Sequence, residues 1–137
     1  MISTKSRYGV RAVVDVARHG AGRPVSIRAI ADRQQLPEAY LEQLVAPLRR
    51  AGILRSVRGS QGGYVLARPA EAVSALEIVR ALDGPLHIAA CTCGGVDPDC
   101  LEHSLWSRLE EAMEATLADV SVADLAHQAA GQAVYRI

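Results

Sequence analysis

The most restrictive feature of the chain is the stretch Arg58-Gly59-Ser60-Gln61-Gly62-Gly63, set between the β-rich runs Ile53-Leu54-Arg55-Ser56-Val57 and Tyr64-Val65-Leu66. Two runs of period two joined by glycines predict a β-hairpin with an arginine at its tip. A two-stranded hairpin is not stable alone in water and must lean on something else. What precedes it has a different period, and the hairpin is therefore expected to pack on helices.

Three helices are predicted upstream. From Arg7 to His19 the residues Tyr8, Ala12, Val13, Val16 and Ala17 recur at helical spacing, and Gly20, Gly22 and Pro24 stop the segment. Ser26 is the expected N-cap of a short helix over 27–33, with Ile27, Ile30 and Ala31 on one face. After Gln34-Gln35-Leu36, Pro37 and Glu38 begin a third helix whose Leu41, Leu44, Val45 and Leu48 fall at i, i+3, i+4 and i+7. Gly52 is its expected C′ residue, and Pro47 is expected to bend its last turn by removing the bond to the Gln43 carbonyl. Two short helices joined by a tight turn and followed by a hairpin make a winged helix-turn-helix, in which the second helix of the pair enters the major groove of DNA. The wing would then reach an adjacent minor groove.

Charge agrees with that reading once it is partitioned. The 137 residues carry 15 Lys+Arg and 15 Asp+Glu, a net charge of zero, which alone argues against a polyanion partner. Residues 1–70, however, hold twelve cations and four carboxylates, or +8, and residues 71–137 hold three and eleven, or −8. A basic half joined to an acidic half suggests a polyanion partner for one end only. Arg49, Arg50, Arg55 and Arg58 are the candidate backbone contacts. Gln43 can pair with adenine, Glu42 can accept from cytosine N4, and Ala39 can touch a thymine methyl, although each of these positions also suits plain solvated surface. A phosphate loop for a nucleotide is disfavoured, because the glycines are followed by a strand and not by a helix N-terminus.

The acidic half begins with a predicted helix over 73–82, stopped by Gly84-Pro85. All three cysteines follow within ten residues, at Cys91, Cys93 and Cys100, with His103 three positions further on. Clustered cysteines in a cytosolic chain point to metal or redox chemistry more than to a disulfide. Cys100 and His103 share a helix face, and three thiolates with one imidazole would complete four ligands to zinc or to an iron-sulfur cluster of the 2Fe-2S or 4Fe-4S kind. Cys91-x-Cys93 is tighter than the usual zinc spacing, so a thiol-disulfide pair or three inert thiols are the competing readings. His19, His87 and His127 have no clustered partners and are read as ordinary residues.

A long helix is predicted over 99–120, with Leu101, Leu105, Leu109, Ala112, Met113, Thr116, Leu117 and Val120 as its stripe. It is longer than one small core requires, which suggests a two-fold dimer interface, the plainer use being to cover the winged unit. Ser121 and Asp124 resemble a capping box for a last short helix. The expected organisation is a winged helix-turn-helix unit over 1–84 and a cysteine loop with dimerisation helix over 85–137, in one compact and mainly α body. No run approaches the ~18 apolar residues of a membrane span, and no secretory h-region follows the N-terminal cations, so a soluble cytoplasmic protein is expected. No base stands beside a thiol and no paired carboxylates stand out, so an enzyme is not expected.

Arg7-Tyr8-Gly9-Val10, Tyr40-Leu41-Glu42-Gln43-Leu44 and the wing string from Val57 to Leu66 together resemble the IscR/NsrR/CymR-type family of winged-helix transcription regulators. The cysteines ahead of the long helix, followed by His103 and Trp106, resemble its iron-sulfur branch, with the first two cysteines closer together than is usual there. The resemblance implies a homodimeric bacterial regulator, expected to be a repressor, that binds double-stranded operator DNA and joins its copies through the long helix. It implies a DNA-contacting set of Ala39, Tyr40, Glu42, Gln43, Arg49 and Arg50, with Arg58, Gly59, Ser60, Gly62, Gly63 and Tyr64 in the wing. It implies Cys91, Cys93, Cys100 and His103 as ligands of an iron-sulfur cluster. The alternative is a cluster-free thiol-redox or zinc-stabilised winged-helix regulator or interaction module.

Overall fold

The computed structural model describes residues 2–89 and 99–135, with side chains described up to residue 131. Its elements run α1 (Thr4–Gly20), α2 (Ile27–Gln34), α3 (Glu38–Arg50), β1 (Leu54–Val57), β2 (Gly63–Leu66), a 3-10 turn (Ala70–Ala72), α4 (Ala75–Asp83), α5 (Leu101–Asp119) and α6 (Val122–Tyr135). This is the mainly helical winged helix-turn-helix expected from the sequence, with a two-stranded antiparallel hairpin as the wing.

Caps account for most helix ends. α1 starts earlier than its apolar periodicity indicates because Ser3 caps it: its Oγ accepts the Ser6 N–H at 3.1 Å, while its own N–H donates to Asp83 at 3.0 Å. Ser26 caps α2 as expected, accepting the Ala29 N–H at 3.1 Å. α3 runs unbroken through Pro47 to Arg50. Its end is a Schellman motif, in which Gly52 N–H donates to Arg49 C=O and Ile53 N–H to Leu48 C=O, both at 3.0 Å. Gly52 adopts φ 74°, which explains the glycine. α4 begins two residues later than expected because Val73 is extended and Ser74 forms a capping box with Glu77.

The hairpin pairs Leu54 with Leu66 and Val57 with Gly63. A third segment joins it from the α1–α2 connection: Val25 N–H donates to Tyr64 C=O at 2.9 Å and Tyr64 N–H to Val25 C=O at 2.8 Å. At this crossing a Cβ on residue 63 would collide with the Val25 carbonyl, so the glycine is required by close backbone approach.

The core is aliphatic. Val13 of α1, Ile30 of α2, Leu41, Leu44 and Leu48 of α3, Ile53 and Ile78 are all fully buried, and Val122 at the start of α6 joins the same cluster. The chain reaches that point through paired backbone, with Ala75 N–H donating to Val120 C=O at 2.9 Å and Val122 N–H to Val73 C=O at 2.8 Å. α6 therefore returns to pack on α1. It is longer than the short last helix expected, because Ser121 and Asp124 cap each other's backbone at 3.0 Å and the Ala-rich tail continues the helix. A second cluster of Leu76, Val79 and Leu86 takes Met113 and Leu117 of α5, and no described helix is long and apolar enough to cross a membrane.

Candidate nucleic-acid interface

The inward face of α3 is spent on the core, which leaves a defined outward face. Ala39, Glu42, Gln43, Arg49 and Arg50 are exposed on it. Tyr40 is half-buried, and its ring meets Tyr8 of α1 edge-on at 6.1 Å between centroids, so it braces α3 as well as bordering the surface. In the wing, Arg58, Gly59 and Ser60 are exposed at the tip, whereas Gly62, Gly63 and Tyr64 are half-buried where the hairpin meets Val25.

Between α2 and the wing tip lies an open cleft of about 630 Å³. Its rim includes His19, Arg23, Ser26, Arg33, Ser60 and Gln61, and among the described residues no carboxylate lines it. His19, Arg23 and Arg33 were not picked out by sequence reasoning, because they sit in three different elements. The usable signal was Arg23-Pro24 just ahead of the capping Ser26 in an otherwise basic segment.

Among the described residues, two cations of the basic half are held in ion pairs. Arg33 forms a bidentate pair with buried Asp15, at 2.9 Å from Nε and 2.7 Å from Nη2, and this bond raises its pKa further above its ordinary value. Arg68 reaches Glu77 at 2.7 Å and the Ala72 carbonyl at 3.2 Å, joining the base of the wing to the start of α4. Burial pushes the Glu77 pKa up, but the Ser74 N–H and the Arg68 guanidinium outweigh it, so the carboxyl sits below the usual range.

Of the candidate ligands, Cys91 and Cys93 lie outside the described residues. Cys100 is the N-cap of α5, and its Sγ accepts the His103 N–H at 3.4 Å. Cys100 is half-buried and His103 exposed, on the first turn of one helix. Among the described residues no three His, Cys, Asp or Glu side chains converge on a metal position. Cys100 and His103 are thus two soft or borderline donors that suit a cluster or zinc but do not make a site by themselves. The chain ahead of the cysteines is tied to the same helix, Ile88 N–H donating to Glu110 at 2.9 Å, and Arg80 of α4 pairs with Glu114 at 3.1 Å. Upstream of Met113 the α5 stripe is uncovered: Leu101 is 87% exposed, Leu105 54% and Leu109 43%.

The profile of the Rrf2 family, described as an iron-dependent transcriptional regulator, matches residues 2–128. The chain is 40% identical over 132 residues to the HTH-type transcriptional regulator CymR of Bacillus subtilis, covering 96% of this chain and 93% of that one. It is 38% identical over 128 residues to the regulator IscR of Yersinia enterocolitica, covering 90% and 77%. The solved structure of B. subtilis CymR, described as the global cysteine regulator of that organism, superposes with a TM-score of 0.84 at 38% identity, covering 93% of this chain and 97% of that chain. IscR of T. potens superposes with a TM-score of 0.78 at 40% identity, covering 94% and 88%. With the winged helix-turn-helix fold already in place, these matches mean that the chain belongs to the Rrf2 family and is a transcription regulator, not an enzyme.

Proposed function

We propose that the protein is a homodimeric, operator-binding repressor of the cytoplasmic nucleoid. In this reading Glu42 and Gln43 of α3 read base edges in the major groove, with Ala39 and Tyr40 beside them. Arg49 and Arg50 contact phosphates, and the wing from Arg58 to Tyr64 enters the minor groove. The single observation that carries it is the shared setting of the exposed α3 face, the Arg58 tip and the cleft lined by His19, Arg23 and Arg33 in the half of the chain that bears +8. The uncovered leucines of α5 supply an isologous surface on which two copies can pair. Duplexes should be selected in vitro from a randomised pool and titrated at several salt concentrations. Arg58→Ala is expected to lower the salt slope by about one. An unchanged slope removes Arg58 from the interface.

The proposed signal acts at the cysteines. Cys91, Cys93, Cys100 and His103 hold an iron-sulfur cluster of 2Fe-2S or 4Fe-4S type, which when bound supplies redox or nitric-oxide reactivity. The position of Cys100 as N-cap of α5 supports this, because a change at its sulfur acts on the helix proposed to pair the two copies and hence on the spacing of the recognition helices. The tight Cys91-x-Cys93 spacing favours a second reading, zinc or thiol oxidation without a cluster. Anaerobic purification with metal and sulfide analysis separates them: iron with sulfide supports the cluster, zinc alone a structural site, and neither supports thiol chemistry. Retention of iron in Cys100→Ala overturns the ligand set.

A further inference from the structure

Reading an operator requires α3 to be held at one angle, and a polar chain running from α1 to both helices of the pair can set it. The Asp15 side chain has no solvent exposure. Besides the two bonds from Arg33, it accepts Gln34 Nε2 at 3.0 Å, so both of its oxygens are occupied by the last two residues of α2. Gln34 Oε1 in turn accepts Arg11 Nε at 3.0 Å. The Arg11 guanidinium lies 5.5 Å from the centre of the Tyr8 ring, and Tyr8 meets Tyr40, in the first turn of α3, at an interplanar angle of 88°. Only a short turn with Gln35 in the left-handed region, at φ 55°, separates these anchors.

A buried carboxylate costs free energy unless its lone pairs are met, and an apolar residue of similar size often gives equal or greater stability. What the charge adds is direction, because a bidentate guanidinium admits one geometry. We propose that Asp15 is a positioning residue for operator recognition: through Arg33 and Gln34 at the end of α2, and through Arg11, Tyr8 and Tyr40 at the start of α3, it sets the angle between the two helices and so the aim of Glu42 and Gln43. The proposal rests on the operator-reading function given above.

The test compares full-length wild type, Asp15→Asn and Arg33→Lys on the preferred duplex selected by the wild type and on a scrambled duplex of equal length, about 30 base pairs so that two half-sites one helical turn apart fit. Asp15→Asn removes the charge at constant shape, whereas Arg33→Lys keeps a charge and loses the fork. The operator-to-scrambled affinity ratio is expected to fall about ten-fold in both, comparable to the loss of one base contact, with scrambled binding by Asp15→Asn, which lies off the cleft, within about two-fold of wild type. An unchanged ratio overturns the proposal, and so does an equal loss on both duplexes, which signals lost folded protein and not lost aim. If Asp15→Asn does not give a cooperative melt, Arg33→Lys decides alone, since Arg33 is partly exposed. If the wild type prefers no duplex, the operator reading falls as well, which distinguishes that failure from this one.

Discussion

The crossing of Val25 over the wing makes Gly63→Ala a quantitative probe of how the hairpin is held. The added methyl would overlap the Val25 carbonyl oxygen and carbon and lie 2.8 Å from the Ser26 nitrogen, all backbone atoms that cannot rotate aside. Relief requires Val25 and Tyr64 to separate, breaking the 2.9 Å and 2.8 Å bonds between them. At about 1 kcal/mol each, these cost ~2 kcal/mol. The glycine also adopts φ 155°, for which an alanine loses about 1 kcal/mol more, giving a total of ~3 kcal/mol. A domain with 5–15 kcal/mol of stability, roughly, still folds after such a loss. Urea unfolding at fixed protomer concentration should therefore show a midpoint lower by about 1–2 M with an unchanged slope. Gly22→Ala is the control, because Gly22 has φ 83° with nothing within 4 Å of the added methyl and pays only the conformational part. The mutation should also detach Arg58 from its support, so Arg58→Ala in the Gly63→Ala background is expected to weaken DNA binding little further. If Gly63→Ala is no less stable than Gly22→Ala, the Val25 bridge does not hold the wing and the reasoning is refuted.

Four further outcomes are expected. Leu105→Glu with Leu109→Glu should turn a dimer into a monomer in sedimentation equilibrium, since each change is made twice across a two-fold axis and places charges on the uncovered face of α5; an unchanged mass would locate the dimer elsewhere. Gln43→Ala should cost ~1–3 kcal/mol on the preferred duplex and almost nothing on random DNA, as read by competition binding. Arg23→Ala should weaken both duplexes alike and reduce the salt slope by about one if the cleft seats a DNA strand, and an unchanged slope would remove the cleft from the interface. Because the folded Glu77 pKa lies below its unfolded value, its contribution is full above the usual carboxylate range and is lost as pH falls through the lower folded value, so Glu77→Gln should flatten the acid limb of a stability-against-pH curve.

Where a structural decision is local, it was legible along the chain. The hydrophobic spacing of Leu41, Leu44, Val45 and Leu48, the Ser26 cap, the Gly52 terminus and the glycine-rich tip each act over one or two turns, and the structure has them where they were expected. The outward residues of α3 follow from the same arithmetic, since burying one helix face exposes the other. The start of α1 lies outside its apolar spacing: Ser3 sets it with a local cap, and that serine is itself held by Asp83, eighty residues away. The stripe of α5 reads as one continuous surface in sequence, yet Met113 and Leu117 pack on α4 while Leu101, Leu105 and Leu109 are left uncovered.

Periodicity, caps and charge are properties of neighbouring residues, so the helix-helix-helix-hairpin order, the +8 and −8 halves and the residue types on the outward face of α3 are legible along the chain. Tertiary structure decided what those residues share. It brought Val25 onto the wing and carried Val122 of the acidic half into the core of the basic one. It also set Arg23 and Arg33 beside Ser60 across a cleft and matched Asp15 with Arg33 and Gln34. Each of these contacts joins segments whose separation along the chain bears no relation to their distance in space, and only close packing of the helices around one aliphatic core could bring them together.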